Sequence, residues 1–84
     1  MYKLTIKKSA GKELDSLPEQ LFQKIDKALL ALKEDPFPFP HAIKFTGENK
    51  YRLRIGDYRV VYAVNVEEKI ITIYRIRHRK DVYR

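Results

Sequence analysis

Residues 51–62 read Tyr51-Arg52-Leu53-Arg54-Ile55-Gly56-Asp57-Tyr58-Arg59-Val60-Val61-Tyr62. Apolar and charged residues alternate on both sides of Gly56-Asp57, and a period of two marks a half-buried strand. Gly56 stands first in that dipeptide, as a two-residue type II′ hairpin loop prefers. The two arms then pair Ile55 with Tyr58, Arg54 with Arg59, Leu53 with Val60, Arg52 with Val61 and Tyr51 with Tyr62. One face carries Tyr51, Leu53, Ile55, Tyr58, Val60 and Tyr62; the other carries Arg52, Arg54 and Arg59, with Val61 and Ala63 as small neighbours. A slip of one residue would bury the arginines, so the register is strongly specified. Arg54 opposite Arg59 is a like-charge pair, unfavourable in itself. A solvated outer face accounts for one arginine. Three convergent ones favour an anion bound among them, and the planar guanidinium fork suits phosphate.

The flanking sequence supplies the layer that covers the apolar face. Residues 2–8 form a strand with Tyr2, Leu4 and Ile6 in alternation. Ser9 is placed to cap a short helix over 9–16, weakened by Gly11, with Leu14 and Leu17 apolar. Ser16-Leu17-Pro18-Glu19 fits a capping box with Pro at a first helical position, opening a helix over 18–33. Leu21, Phe22, Ile25, Ala28, Leu29 and Leu32 give that helix one apolar stripe. Residues 34–41 hold three of the four prolines and read as an extended connector, in which Phe37 and Phe39 cover an apolar edge and His41 is a connector residue. Strands follow at 42–46, 51–55, 58–65 and 70–77, with turns at 47–49 and 67–69. The reading is α+β, in the order β-α-α-β-β-β: one domain over 1–84, a twisted antiparallel sheet with a two-helix hairpin packed on one face.

Composition narrows the function. The chain has 84 residues and a net charge of +7, from 18 Lys and Arg against 11 Asp and Glu. All seven arginines lie in residues 51–84 and nine of the eleven lysines in 1–50, a segregation that solubility alone does not require. Such a basic surface serves nucleic acid or an acidic protein partner. Without cysteine there is neither a disulfide framework nor a thiolate metal site. The longest apolar run is about five residues, far from the ~20 that span a bilayer. The opening has no leader-like segment, so a soluble cytoplasmic domain is expected. The chain contains no HExxH, P-loop, GxGxxG or GxSxG pattern, and no cofactor or metal is implied. Phosphate chemistry here relies on cationic side chains facing developing negative charge.

The C-terminal run Ile76-Arg77-His78-Arg79-Lys80-Asp81-Val82-Tyr83 adds cations, an imidazole and a phenol. His78 is the acid/base candidate, histidine being the side chain suited to proton transfer near neutrality. A pairing of His41 with His78 is not supported by spacing. Arg75, Arg77 and Lys80 join Arg52 and Arg54 as RNA-binding candidates, and Tyr83 either stacks on a base or caps the fold.

Taken together, the 51–62 hairpin, the 76–83 tail, and Ala10, Lys12, Leu14 and Leu17-Pro18 resemble the RelE toxins of the RelE/ParE superfamily, from type II toxin–antitoxin modules. The resemblance covers nearly the whole chain. It implies a microbial ribonuclease-like fold and an endoribonuclease that enters the ribosomal A site and cleaves mRNA. In that family the ribose 2′-hydroxyl attacks the adjacent phosphate, leaving a 2′,3′-cyclic phosphate and a 5′-hydroxyl. By motif position Arg52 and Arg54 fill the two basic sites of the first arm, Arg59 that of the second, Arg79 that of the tail, and Tyr83 the base-stacking aromatic. Relatives carry Lys in the first arm where this chain has Arg, which is too basic to serve as a general base. Some pair a Glu with a tail His, leaving Glu48 as a weak partner for His78. The resemblance also implies an acidic cognate antitoxin wrapping the helices. Two alternatives stand beside it: a ParE-like toxin that binds DNA gyrase without catalysis, and a basic module that mainly docks its antitoxin.

Overall fold

A computed structural model describes residues 1–38, 42–44, 50–78 and 80. The order of elements is β1 (Lys3–Ile6), α1 (Lys8–Asp15), α2 (Glu19–Leu32), β2 (Ala42–Lys44), β3 (Lys50–Ile55), β4 (Tyr58–Asn65) and β5 (Ile70–His78). They build one five-stranded sheet in the order β1-β5-β4-β3-β2. The α+β architecture is the one expected, and β2 through β5 form an antiparallel meander. The sheet is mixed, because β1 runs parallel to β5, pairing Lys3 with Ile70 through Ile6 with Ile73. The helical hairpin carries the chain from β1 on one edge to β2 on the other, which leaves β1 free to add to β5 in that direction.

The central hairpin has the register that alternation predicted, from Ile55 against Tyr58 to Tyr51 against Tyr62. Gly56 adopts φ +58°, a conformation that glycine takes without steric cost. Asp57 stays out of the left-handed region, as a type II′ loop requires. Between the strands and the helices lies the core. It consists of Ala10 and Leu14 of α1, Ile25, Leu29 and Leu32 of α2, and Leu53, Ile55, Val60, Tyr62, Ile71, Ile73 and Ile76 of the sheet. Tyr62 is fully buried, and its hydroxyl donates to the Pro36 carbonyl at 2.7 Å. That bond ties the connector to the core, and Phe37 packs on Tyr51 with ring centroids 5.0 Å apart. Burial pushes the Tyr62 phenol well above its ordinary value of 10.0.

The helix caps differ from expectation. Lys7 is the N-cap of α1, with no side-chain hydrogen bond. Ser9 lies within the first turn, and its hydroxyl reaches the Tyr74 carbonyl at 3.4 Å. No capping box forms at α2, where Pro18 is the N-cap. Ser16 instead donates to the Glu13 carbonyl at 2.8 Å, and Glu19 accepts from Gln23 at 3.5 Å. The loop between the helices is short enough that Ser16 closes α1 rather than opening α2. Tertiary packing therefore holds both helix starts where local capping was expected. Of the remaining expectations, Phe39, His41, the end of the 42–46 strand and the 47–49 turn with Glu48 lie outside the described residues. No helix among the described residues is long and apolar enough to cross a membrane.

Candidate functional site

On the sheet face away from the helices, arginines line up across three strands. Arg54 of β3 is the register partner of Arg59 of β4, and Arg59 is in turn the partner of Arg77 of β5. One step along the strands, Arg52 and Arg75 flank Val61 in the same way. Neighbouring strands lie about 4.8 Å apart and successive same-face positions about 7 Å apart, so the two rows put five guanidinium groups on one patch. The sequence placed Arg52, Arg54 and Arg59 together. Arg75 and Arg77 join them because of an irregularity that alternation alone conceals. The β4–β5 register shifts between Val61 and Tyr62, leaving Tyr74 as the extra residue of a β-bulge. Ile73 and Ile76, three residues apart, therefore both reach the core, while Tyr74 and Arg75 both face outward.

Arg59 is the centre of the arrangement. It is 8% exposed, the only charged side chain among the described residues to be buried. Its guanidinium donates to the Tyr58 carbonyl at 3.2 Å, and no carboxylate among the described residues pairs with it. A buried cation without a counter-ion is expensive. Cationic neighbours on both sides raise that cost further. An anion bound among Arg54, Arg59 and Arg77 would relieve it.

Glu13 of α1 supplies the only carboxylate contacts of this patch among the described residues. Beyond Ile73, β5 has no strand on its β1 side, and α1 takes that place. The Lys7 amide donates to the Ile73 carbonyl at 2.9 Å, and Glu13 Oε1 accepts from the Ile76 amide at 2.9 Å. Glu13 Oε2 accepts from Arg77 Nε at 2.6 Å and lies 3.9 Å from Arg75. The carboxylate thus closes an open sheet edge and fixes the base of the Arg77 fork. Sequence reading missed this residue, whose partners are 63 and 64 positions away. The available signal was its place beside Leu14, on the border of the stripe that α1 buries.

His78 is not among the arginines. It is the register partner of Tyr58, on the helix side of the sheet, and the two rings meet edge-on with centroids 5.4 Å apart. Both line an open cleft of about 510 Å³ with Glu13, Ser16, Leu17 and Arg77. Arg77 is the link, belonging to the arginine row and to the cleft. Lys80 is exposed, and its amide donates to His78 Nδ1 at 3.3 Å. Arg79 and Tyr83 lie outside the described residues.

The sequence and fold have known counterparts. A family model described as the ParE toxin of the type II toxin–antitoxin system parDE matches residues 4–83. A Methanocaldococcus jannaschii protein named "Putative toxin RelE1" is 31% identical over 86 residues, covering 99% of this chain and 96% of the relative. The archaeal RelE of the RelE–RelB complex from Pyrococcus horikoshii OT3 superposes with a TM-score of 0.80 at 34% identity, over 93% of this chain and 94% of that one. The isolated RelE toxin of E. coli superposes with a TM-score of 0.79 over 99% of this chain and 92% of that one. Its identity is 23%, and that likeness concerns the fold.

Proposed function

This chain belongs to the RelE/ParE family of type II toxin–antitoxin toxins, and from that premise we propose that it is a ribosome-dependent mRNA endoribonuclease. The observation that carries the reading is Arg59, buried between Arg54 and Arg77 with no carboxylate partner among the described residues. In this mechanism the three forks hold the non-bridging oxygens of the scissile phosphate. The ribose 2′-hydroxyl loses its proton and its oxygen bonds to phosphorus. The bond to the 5′-oxygen breaks, and that oxygen takes up a proton. A 2′,3′-cyclic phosphate and a 5′-hydroxyl remain. Negative charge grows on the equatorial oxygens, and pre-aimed guanidinium groups stabilise it there. Arg52 and Arg75 hold the neighbouring phosphate, and Lys80 adds to the field. Water takes the 2′-hydroxyl proton and supplies one to the 5′-oxygen, since His78, the acid/base candidate of the sequence, lies on the helix side of the sheet. The family resemblance adds Arg79 on phosphate and Tyr83 stacked on a base.

The ribosome and mRNA are then the working partners, in the cytoplasm. An acidic antitoxin is the second, supported by the RelE–RelB complexes among the structural relatives. Leu30 on α2 and Ile43 on β2, both more than half exposed, offer it apolar footholds. The ParE description of the matching family model favours one other reading, inhibition of DNA gyrase by binding. Induced expression separates the two. The nuclease reading expects arrested translation with mRNA cuts inside codons by primer extension. Stalled replication with intact transcripts would replace it with the gyrase reading.

A further inference from the structure

We propose that the open face continues past the arginine rows into a second RNA subsite, where Tyr74 stacks on an unpaired base and Lys50 and Lys7 meet its phosphates. This rests on the nuclease reading for the direction of the strand, and on separate observations for the site. The β-bulge turns Tyr74 onto the arginine face, next to Arg75. Tyr74 is neither in the hydrophobic core nor among the residues packed against it. Two ammonium groups from different elements approach the ring. Lys50 Nζ of β3 is 4.7 Å from its centroid, and Lys7 Nζ, at the junction of β1 and α1, is 5.7 Å away. Ala63 is the register partner of both Lys50 and Thr72, and its small side chain leaves room for the cross-strand approach.

An open groove of about 650 Å³ adjoins the ring, with Thr72 offering a hydroxyl, while the Asn65 amide is held by Glu68 in the turn. Glu67 lines its far end and Glu68 follows in the turn, so the positive path ends there. Phosphate contacts one row apart with an aromatic platform beside them are the construction that binds single-stranded nucleic acid, and stacking tolerates any base. Cations over the ring also place charge where the strand's phosphates pass.

The test uses an uncleavable 2′-O-methyl oligoribonucleotide of about twelve nucleotides, within the range of single-strand site sizes. Its binding to the full chain is followed by fluorescence anisotropy. Tyr74→Leu should weaken binding about tenfold, the loss of one stacked base, while Tyr74→Phe stays within about twofold. On programmed ribosomes Tyr74→Leu should raise the half-saturating toxin concentration and leave the saturated cleavage rate unchanged. Equal binding by wild type and a folded Tyr74→Leu protein would overturn the subsite, even where cleavage is intact. Wild-type protein that binds RNA through Tyr74 but never cuts mRNA would sustain the subsite and remove the nuclease reading. Should Leu disturb the bulge, Lys50→Gln gives the same test without touching β5, with a smaller expected loss.

Discussion

Strand β4 turns Val60 and Tyr62 toward the helices and Arg59 and Val61 away from them, and opposite rules govern the two sides. On the helix side every demand of burial is met. Apolar residues fill the space, and the one buried hydroxyl, Tyr62, has its acceptor on Pro36. On the far side three arginines stand in register across adjacent strands, and the central one is buried. A sequence selected for stability alone would break up that row with a carboxylate or an apolar residue. The helix face is packed to make the fold, and the far face, with a buried arginine between two others, is suited to an anionic ligand.

Substitutions on the two faces should therefore have opposite signatures. The largest effect is expected for Arg59→Ala or Arg77→Ala. Each should lower single-turnover mRNA cleavage by about 10²–10³-fold per folded molecule, as removal of one transition-state donor does. Cleavage near the wild-type rate by both variants would erase the distinction. Next comes Leu29→Ala or Ile73→Ala, at fully buried positions. Each should cost about 2–5 kcal/mol of stability by denaturant titration. Cleavage per folded molecule should survive. Its loss at full occupancy of the native state would tie the core directly to the chemistry.

Tyr62→Phe sharpens the comparison within the helix side. It removes the bond to Pro36 and should cost about 1–3 kcal/mol, because a buried carbonyl loses its donor. The phenol has a second consequence. Its folded pKa is raised by burial, so the folded state keeps a proton that the unfolded state releases above its value of 10.0. That contribution is intact below pH 10.0 and is lost as pH rises from there toward the folded value. Unfolding followed between pH 9 and 11 should show stability falling with pH in the wild type and a shallower slope in Tyr62→Phe. The smallest effect is expected at Gly11, inside α1, where an added Cβ would meet Ile6 Cγ2 at 3.9 Å. Gly11→Ala should raise stability by about 0.4–1 kcal/mol through the unfolded state, without altering cleavage. A lower melting temperature in that variant would show that α1 is less accommodating than its contacts imply.

The two faces also differed in how far they could be read in advance. Alternation and one turn dipeptide were enough for the hairpin register, since both signals are local. The apolar stripe of α2 located the helix side for the same reason. What stayed hidden depended on contacts distant in the chain. The parallel pairing of β1 with β5 joins residues nearly seventy positions apart. The bulge at Tyr74 shifts the face of everything after it, so Arg77 entered the central row and His78 left the arginine side. Glu13 reaches β5 only because α1 replaces a missing strand. The capping box at Ser16 failed because Ser16 closes α1 as its C-cap, which leaves Pro18 at the N-cap of α2.

The central claim is that Arg59 is buried in waiting for an anion. Urea unfolding of wild type and Arg59→Met, with and without inorganic phosphate at fixed ionic strength, tests it most directly. The account predicts that without phosphate Arg59→Met is as stable as wild type or more so, because a buried charge with no carboxylate partner among the described residues has been replaced by an apolar chain of similar length. Phosphate should then stabilise the wild type alone. Equal stabilisation of both proteins, or an Arg59→Met protein markedly weaker than wild type without phosphate, would contradict it.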